Sequence, residues 1–427
     1  MEVMVKATAA PRVICRHCAG DAHETVIDLG ASPPSNAYLT AASLSAPELY
    51  FPLRVVVCTT CWLIQTQDFH RMDELFNDSY AYFSSTSQSW LQHAAAYAAM
   101  ITERLALGHD SFVVEIAAND GYLLKNFVAA KIPCLGIEPT ESTASAAELM
   151  DIPVAREFFS AAMARRLADE GKRTDLIIGN NVYAHVPDIN DFSAGLKTLL
   201  KPDGVITLEF PHAMRLIEHA QFDTIYHEHF SYLSLHAVRN IFRSVGLRIW
   251  DVEELSTHGG SLRVYGCHLE HERRESASVA RLLAEEVQRG MLDASSYSTF
   301  QQRADKSKND ALAFLIEQKR LGKTVAGYGA AAKGNTLINY AGIKPDTLAY
   351  VCDAAASKQG KYLPGSRIPI FHPEEIKKRR PDFVFILPWN IAEEVMSLHG
   401  YIVEWGGKFV VAAPTLRILP AGGCEIQ

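Results

Sequence analysis

The sequence predicts an α/β protein: two parallel, doubly wound sheets preceded by a small N-terminal zinc-binding module. Three observations carry that expectation. Four of the eight cysteines fall in Cys15-Arg-His-Cys18 and Cys58-Thr-Thr-Cys61. Strand and helix signals then alternate from Phe112 to Cys267, the pattern of a parallel sheet. A second run of the same kind opens at Thr324-Val-Ala-Gly-Tyr-Gly329 and closes at Phe409-Val-Val-Ala-Ala413.

Composition bounds the function. A chain of 427 residues allows two or three domains. With 48% hydrophobic and 21% charged residues it is a packed globular chain, not a disordered one. A net charge of −8 supplies no cation excess for a phosphate backbone, which excludes nucleic acid as the expected partner. No apolar run approaches the ~20 residues of a membrane span, and Met1 to Arg12 lacks a signal-peptide core. The expectation is a cytoplasmic protein without a membrane partner. Nothing resembles a coiled coil, so the oligomeric state is not legible, and the chain is compatible with a monomer.

Each C-x2-C turn brings two thiolates onto one ion, and two turns complete a tetrahedron. Cys15, Cys18, Cys58 and Cys61 would therefore hold a structural zinc with no open position for chemistry. Two unrelated reduced pairs are the alternative. The insert between them carries Pro33-Pro34, Asn36 and the strand-like Leu53 to Val57. The module is expected over 1–75, the first sheet over 76–270, a charged helical connector over 271–323 and the second α/β unit over 324–427.

After Tyr80-Ala-Tyr-Phe-Ser-Ser-Thr-Ser-Gln-Ser-Trp90, a helix is expected from His93 to Leu107. In Glu115-Ile-Ala-Ala-Asn-Asp-Gly121 a buried strand ends in a tight turn that opens a helix. Ligands of doubly wound sheets sit at such strand ends, which makes Glu115, Asn119, Asp120 and Gly121 candidates. Glu138 ends the next strand, where a carboxylate accepts ribose hydroxyls. The usual E/D-x-G-x-G-x-G turn is altered here, with Ala117 and Asn119 at the first two glycine positions. An ordinary Asp-Gly turn is the bland alternative.

Tyr226-His-Glu-His229 is the densest set of proton-handling groups, placed before Ser234, the expected cap of a helix running to about Val245. A histidine there suits a general base, Glu228 can orient an imidazole or bind substrate, and Tyr226 can donate to a carbonyl oxygen. Satisfied polar residues at a helix entrance, or a metal on His227, Glu228 and His229, are the alternatives. In the last unit, Gly327-Tyr-Gly329 with Asp353 keeps an NAD site open, although the third glycine is missing. Lys333, near a helix N-terminus, is a candidate for a pyrophosphate; a solvated lysine is its alternative.

Taken together, the chain resembles the zinc-containing, S-adenosylmethionine-dependent nucleotide-sugar C-methyltransferases that make branched deoxysugars, of the tetronitrose sugar C-3-methyltransferase type. The likeness runs through both cysteine pairs, Leu29 to Asn36, Tyr80 to Trp90, Glu115 to Gly121, Asn181 to Asp188, Tyr226 to His229 and Gly327 to Asn335. It implies a central class I methyltransferase sheet and a C-terminal Rossmann-like domain without a redox cofactor of its own. It puts the general base on His229 beside Tyr226 and Glu228, and the sugar contacts on Asn181, His185 and Tyr80. It further implies a 4-keto sugar on a nucleoside diphosphate, usually thymidine diphosphate. An epimerase or NAD-dependent oxidoreductase is the runner-up, since proton abstraction beside a ketone also serves isomerisation. A non-enzymatic zinc-containing binding protein is the third reading.

Overall fold

The computed structural model describes residues 13–22, 24–67 and 83–419; Tyr80 lies outside them. Near the N-terminus, β1 (Glu24–Ser32), β2 (Phe51–Val57) and β3 (Ile64–Thr66) form an antiparallel meander. The four cysteine sulfurs lie within 4.8 Å of one another, so the donor set fits one tetrahedral zinc. Three of the four cysteines are buried.

The central sheet contains β4 (Val113–Ile116), β5 (Cys134–Ile137), β6 (Val154–Ala155), β7 (Thr174–Asn180) and β8 (Leu200–Pro211), all parallel. The two-residue β9 (Ser231–Tyr232) leaves this sheet and pairs with β3 of the zinc module, Ile64 facing Tyr232. A final hairpin, β10 (Leu247–Leu255) and β11 (Ser261–His268), closes the sheet antiparallel to β8. The order is β10-β11-β8-β7-β4-β5-β6, so the direction of winding reverses between β4 and β7. That reversal opens a crevice at the strand carboxyl ends, where ligands of such sheets bind. The all-buried Val-Val-Glu-Ile of β4 reflects its position with both faces covered.

The last sheet repeats the plan with β12 (Val325–Tyr328), β13 (Val351–Cys352), β14 (Ile370–Phe371), β15 (Phe383–Ile386), β16 (Lys408–Val411) and β17 (Arg417–Leu419). Its order, β14-β13-β12-β15-β16-β17, reverses between β12 and β15. Before it, the charged stretch folds into helices Ala277–Gln288 and Phe300–Arg320. The second buries Phe300, Ala304, Ser307, Ala311, Phe314, Leu315 and Gln318, a three-four spacing that hides one stripe and leaves the charges in water. Phe314 meets Phe383 of β15 edge-on at 5.2 Å. Among the described residues no helix is long and apolar enough to cross a membrane.

One local expectation changes, and one strand is added. The first long helix starts at Gln88 rather than His93, because the Ser87 hydroxyl caps it by accepting the Trp90 N–H. Between His229 and the Leu235–Ser244 helix the chain does not run straight on; it adds β9 to an edge that the zinc module leaves open. The module is bolted down nearby. Arg16 donates to the carbonyls of Pro187 and Thr66, each at 3.0 Å. His17 and Asn190 exchange hydrogen bonds at 2.8 Å. On its other side, Asn335 donates to the Ser35 carbonyl at 2.6 Å, and Leu39 and Tyr362 form a two-way backbone bridge.

Cys58→Ser should cut bound zinc to well below one ion per chain and lower the melting temperature by several degrees. Metal analysis with a thermal melt reads both, and an unchanged melt at lost zinc would remove the structural role.

Candidate active site

The turn after β4 is left-handed three times, at Ala117 (φ 57), Asn119 (φ 51) and Gly121 (φ 76). The backbone thus keeps the glycine-type turn although two glycines are gone, at a cost of about 1–2 kcal/mol for a residue such as alanine. Asn119 offsets its share, since its Oδ1 accepts the Ser84 N–H at 2.9 Å. Gly121 has no such freedom: a Cβ there would stand 2.4 Å from Ile152 Cδ1. Glu138 accepts the N–H groups of Asn119 and Thr140, both at 2.9 Å, and each oxygen keeps a lone pair for a hydroxyl. Asp120 accepts the Ser85 N–H at 3.1 Å, drawing the hydroxyl-rich segment over the turn.

Several polar groups here are buried without a partner among the described residues. They are Glu115 Oε2, Asp120 Oδ1, both side-chain atoms of Asn180 and Asn181 Oδ1. Each such group costs about 1–3 kcal/mol, so a set of them at one crevice marks a place completed by a ligand. Burial, with the charges of Glu138 and Asp120, raises the Glu115 carboxyl well above the usual range. Acceptors, donors and left-handed backbone at the winding reversal fit S-adenosylmethionine.

The second half of the site is the Thr224-to-Phe230 segment. His229 is buried, and its Nδ1 lies 2.8 Å from the Thr224 carbonyl. A carbonyl only accepts, so Nδ1 carries the proton and Nε2 holds the lone pair. Burial, followed by neighbouring His185 and the charge of Lys333, puts the His229 pKa well below its ordinary value. His229 is therefore neutral at physiological pH. The Tyr226 ring lies 4.0 Å from the His229 ring between centroids, and His185 stands edge-on at 4.6 Å. Burial lowers the His185 pKa to about 4. Glu228 accepts from Asn36 of the zinc module at 2.7 Å, and burial pushes its carboxyl up to about 7. His227 turns the other way: its Nε2 is 3.2 Å from the carbonyls of Phe51 and Pro52. The four neighbours in sequence are thus not one cluster, and His227 is set apart.

The C-terminal unit faces this cluster with its own winding reversal. Lys333, in the first turn of helix Ala332–Ala341, lies over the Trp389 ring at 4.9 Å and donates to Asn390 at 3.1 Å. Burial lowers its pKa to about 8, against the pull of Asp223. Asp223 is fully buried, accepts the Trp389 indole N–H at 2.7 Å and is pushed up to about 6 by burial. His258, left-handed at φ 54, lies with its Nε2 3.2 Å from Asn181 Nδ2. Its pKa is lowered to about 4, first by burial and then by Lys333. Behind it Glu209 holds His93 and Arg263 at 2.9 Å. Sequence reasoning missed Asp223, His258 and Trp389 as site residues. The one local signal was His258-Gly259-Gly260, a left-handed run where Gly259 leaves room for Trp389 at 2.4 Å from a would-be Cβ.

The NAD-type features are differently engaged. Asp353 accepts the N–H groups of Ala330 and Ala355 at 2.7 and 2.8 Å, and the Tyr38 hydroxyl donates to the Ala330 carbonyl. A Cβ on Gly329 would meet Pro388 at 2.4 Å. The turn is closed by protein.

A class I-type sheet with this crevice, a zinc module and a second Rossmann-like unit define an S-adenosylmethionine-dependent methyltransferase carrying a structural zinc. Comparison with known proteins agrees. Residues 15–76 match the zinc binding domain of these enzymes, 89–252 a methyltransferase domain and 256–414 the C-methyltransferase C-terminal domain. C-methyltransferase NovU of Streptomyces niveus is 34% identical over 407 residues, covering 95% of this chain and 97% of that one. The chain belongs to the C-methyltransferase family. Among solved structures, magnesium protoporphyrin IX methyltransferase of Synechocystis PCC 6803 with bound SAM has 16% identity and a TM-score of 0.32, over 42% of this chain and 79% of its own. PH0226 of Pyrococcus horikoshii OT3 has 13% identity and a TM-score of 0.37, over 44% and 95%.

Glu138→Ala should weaken S-adenosylmethionine binding about tenfold or more, roughly 1.4 kcal/mol, by calorimetric titration. Wild-type affinity in that variant would remove Glu138 from the cofactor site.

Proposed function

We propose that this enzyme methylates the carbon beside the keto group of a 4-keto deoxysugar carried on a nucleoside diphosphate, thymidine diphosphate being the expected carrier. His229 is the base. The observation that carries the reading is the neutral, oriented His229 imidazole beside Tyr226 and His185, its Nε2 without a hydrogen-bond partner among the described residues.

A sugar carbon has no lone pair to offer until its α-proton is gone. His229 Nε2 takes that proton, and the C–H pair becomes the enolate, with charge on the former keto oxygen. The Thr224 carbonyl stabilises the imidazolium through Nδ1–H as it forms. Tyr226 is placed to donate toward the oxyanion, an interaction commonly worth several kcal/mol in a water-poor site. When bound, S-adenosylmethionine supplies the methyl group, whose C–S bonding pair returns to sulfur as the new C–C bond forms. Asn181 and His185 hold the sugar between the two halves of the site, which removes much of the entropic barrier. Glu228, with a pKa of about 7, orients a sugar hydroxyl through the oxygen that Asn36 leaves available. Proton transfer needs only the neutral imidazole, so the low His229 pKa leaves no acid limb from this group near neutrality.

His229→Ala should abolish transfer of labelled methyl to a panel of 4-keto nucleotide sugars, and also donor-free deuterium exchange at the α-carbon. S-adenosylmethionine affinity should stay within a few-fold. Turnover at the wild-type rate would overturn the assignment.

A further inference from the structure

Asp223 is a fully buried carboxylate that the proton-transfer scheme leaves unused. Its Oδ2 accepts the Trp389 indole N–H at 2.7 Å, and its Oδ1 has no hydrogen-bond partner among the described residues. The indole comes from the loop after β15, in a different unit from Asp223. Two further contacts tie the same surfaces. The Thr336 hydroxyl, one turn along the helix from Lys333, donates to the Ile225 carbonyl at 2.8 Å. Phe222 meets Tyr340 of that helix edge-on at 5.7 Å. Asp223 also directly precedes Thr224, whose carbonyl sets the His229 tautomer.

We infer that Asp223 is a positioning residue for methyl transfer: with Trp389 it holds the Lys333 ammonium in the histidine cluster, where that ammonium stabilises the enolate oxygen. This rests on the proposed function and deepens it. The titratable groups around Lys333 come from three elements. Asp223 belongs to the Phe222–Thr224 turn, His229 to the following loop and His258 to the hairpin turn before β11. His185 backs His229, while Glu209 and His93 back His258. The imidazoles are neutral, so Asp223 is the anion that favours the charged lysine. Its own electrostatic cost is reduced by the indole N–H. A full positive charge beside the oxygen where negative charge develops is the arrangement that lowers an enolisation barrier.

The signs follow from the two groups. Lys333 must stay protonated, so activity falls as pH rises through about 8; Asp223 must stay ionised, so activity falls as pH drops through about 6. In Asp223→Asn the amide oxygen can still accept from Trp389, but the charge is lost. Two measurements test the idea. The first is the pH midpoint of Lys333 acetylation by acetic anhydride, read by mass spectrometry on the unliganded protein without any turnover. The second is the pH profile of kcat with a 4-keto nucleotide sugar that the wild type methylates.

In Asp223→Asn the labelling midpoint should fall, by about one unit for a tenfold change in charged fraction. The alkaline limb of kcat should fall with it, and the acid limb near pH 6 should disappear. An unchanged midpoint, or a shifted midpoint with an unmoved kcat profile, overturns the inference. Trp389→Phe keeps the ring and loses the N–H, so it should move the acid limb upward; this second variant decides the matter if Asn at 223 prevents folding. Failure of the wild type to methylate any 4-keto sugar would instead sink the proposed function, with the labelling result still deciding whether Asp223 controls Lys333.

Discussion

A hydrogen bond of 2.8 Å from His229 Nδ1 to the Thr224 carbonyl decides which nitrogen of the imidazole is free. That bond exists only because the segment around it is held from three sides. From the zinc module, the Thr66 hydroxyl donates to the His229 carbonyl at 3.1 Å. From the central sheet, the Ala184 carbonyl accepts the Phe230 N–H at 2.8 Å. From the C-terminal unit, the Thr336 hydroxyl donates to the Ile225 carbonyl. Each is worth only about 1 kcal/mol. Their value is geometric, because a base misplaced by 1 Å can cost far more in rate than any one of them contributes to stability. The zinc module also reaches this loop through the β3–β9 pairing, since β9 directly follows His229 and Phe230 in the chain.

The electrostatics contain a deliberate opposition. Lys333 depresses the imidazoles, which makes His229 a weaker base. In the proposed mechanism the same cation stabilises the enolate oxygen. Proton removal from a carbon acid leaves a full charge on oxygen, whereas the imidazole gains charge shared with the Thr224 carbonyl. Stabilising the oxygen is therefore the larger effect, provided the lysine remains charged. Burial alone would work against that. A carboxylate on its far side, Asp223, opposes the loss.

The candidate groups were legible from short spacings. Each cysteine pair and the Glu115-to-Gly121 turn place their groups together through a few peptide units, and Tyr226-to-His229 does so for Tyr226 and His229. Two details were less so. Ala117 and Asn119 read as departures from a glycine turn, yet the chain holds them left-handed because the surrounding strand, helix and Ser84 N–H leave no other route. His227 read as a member of the reactive set, and the turn at His227 and Glu228 sends it toward the Phe51 and Pro52 carbonyls. Tyr80 falls outside the described residues.

By itself, the sequence determined the cysteine cluster and the alternation that makes two wound sheets, and it nominated Glu138 for a ribose and a histidine for proton transfer. Those features depend on neighbours within a turn or on a hydrophobic period, and both are written locally. Only the tertiary structure decided that Asn36 meets Glu228, that His258 meets Asn181, and that Trp389 meets both Lys333 and Asp223. These partners come from segments far apart in the chain. Their meeting is set by how whole sheets and helices pack, and long-range packing leaves no short pattern to read.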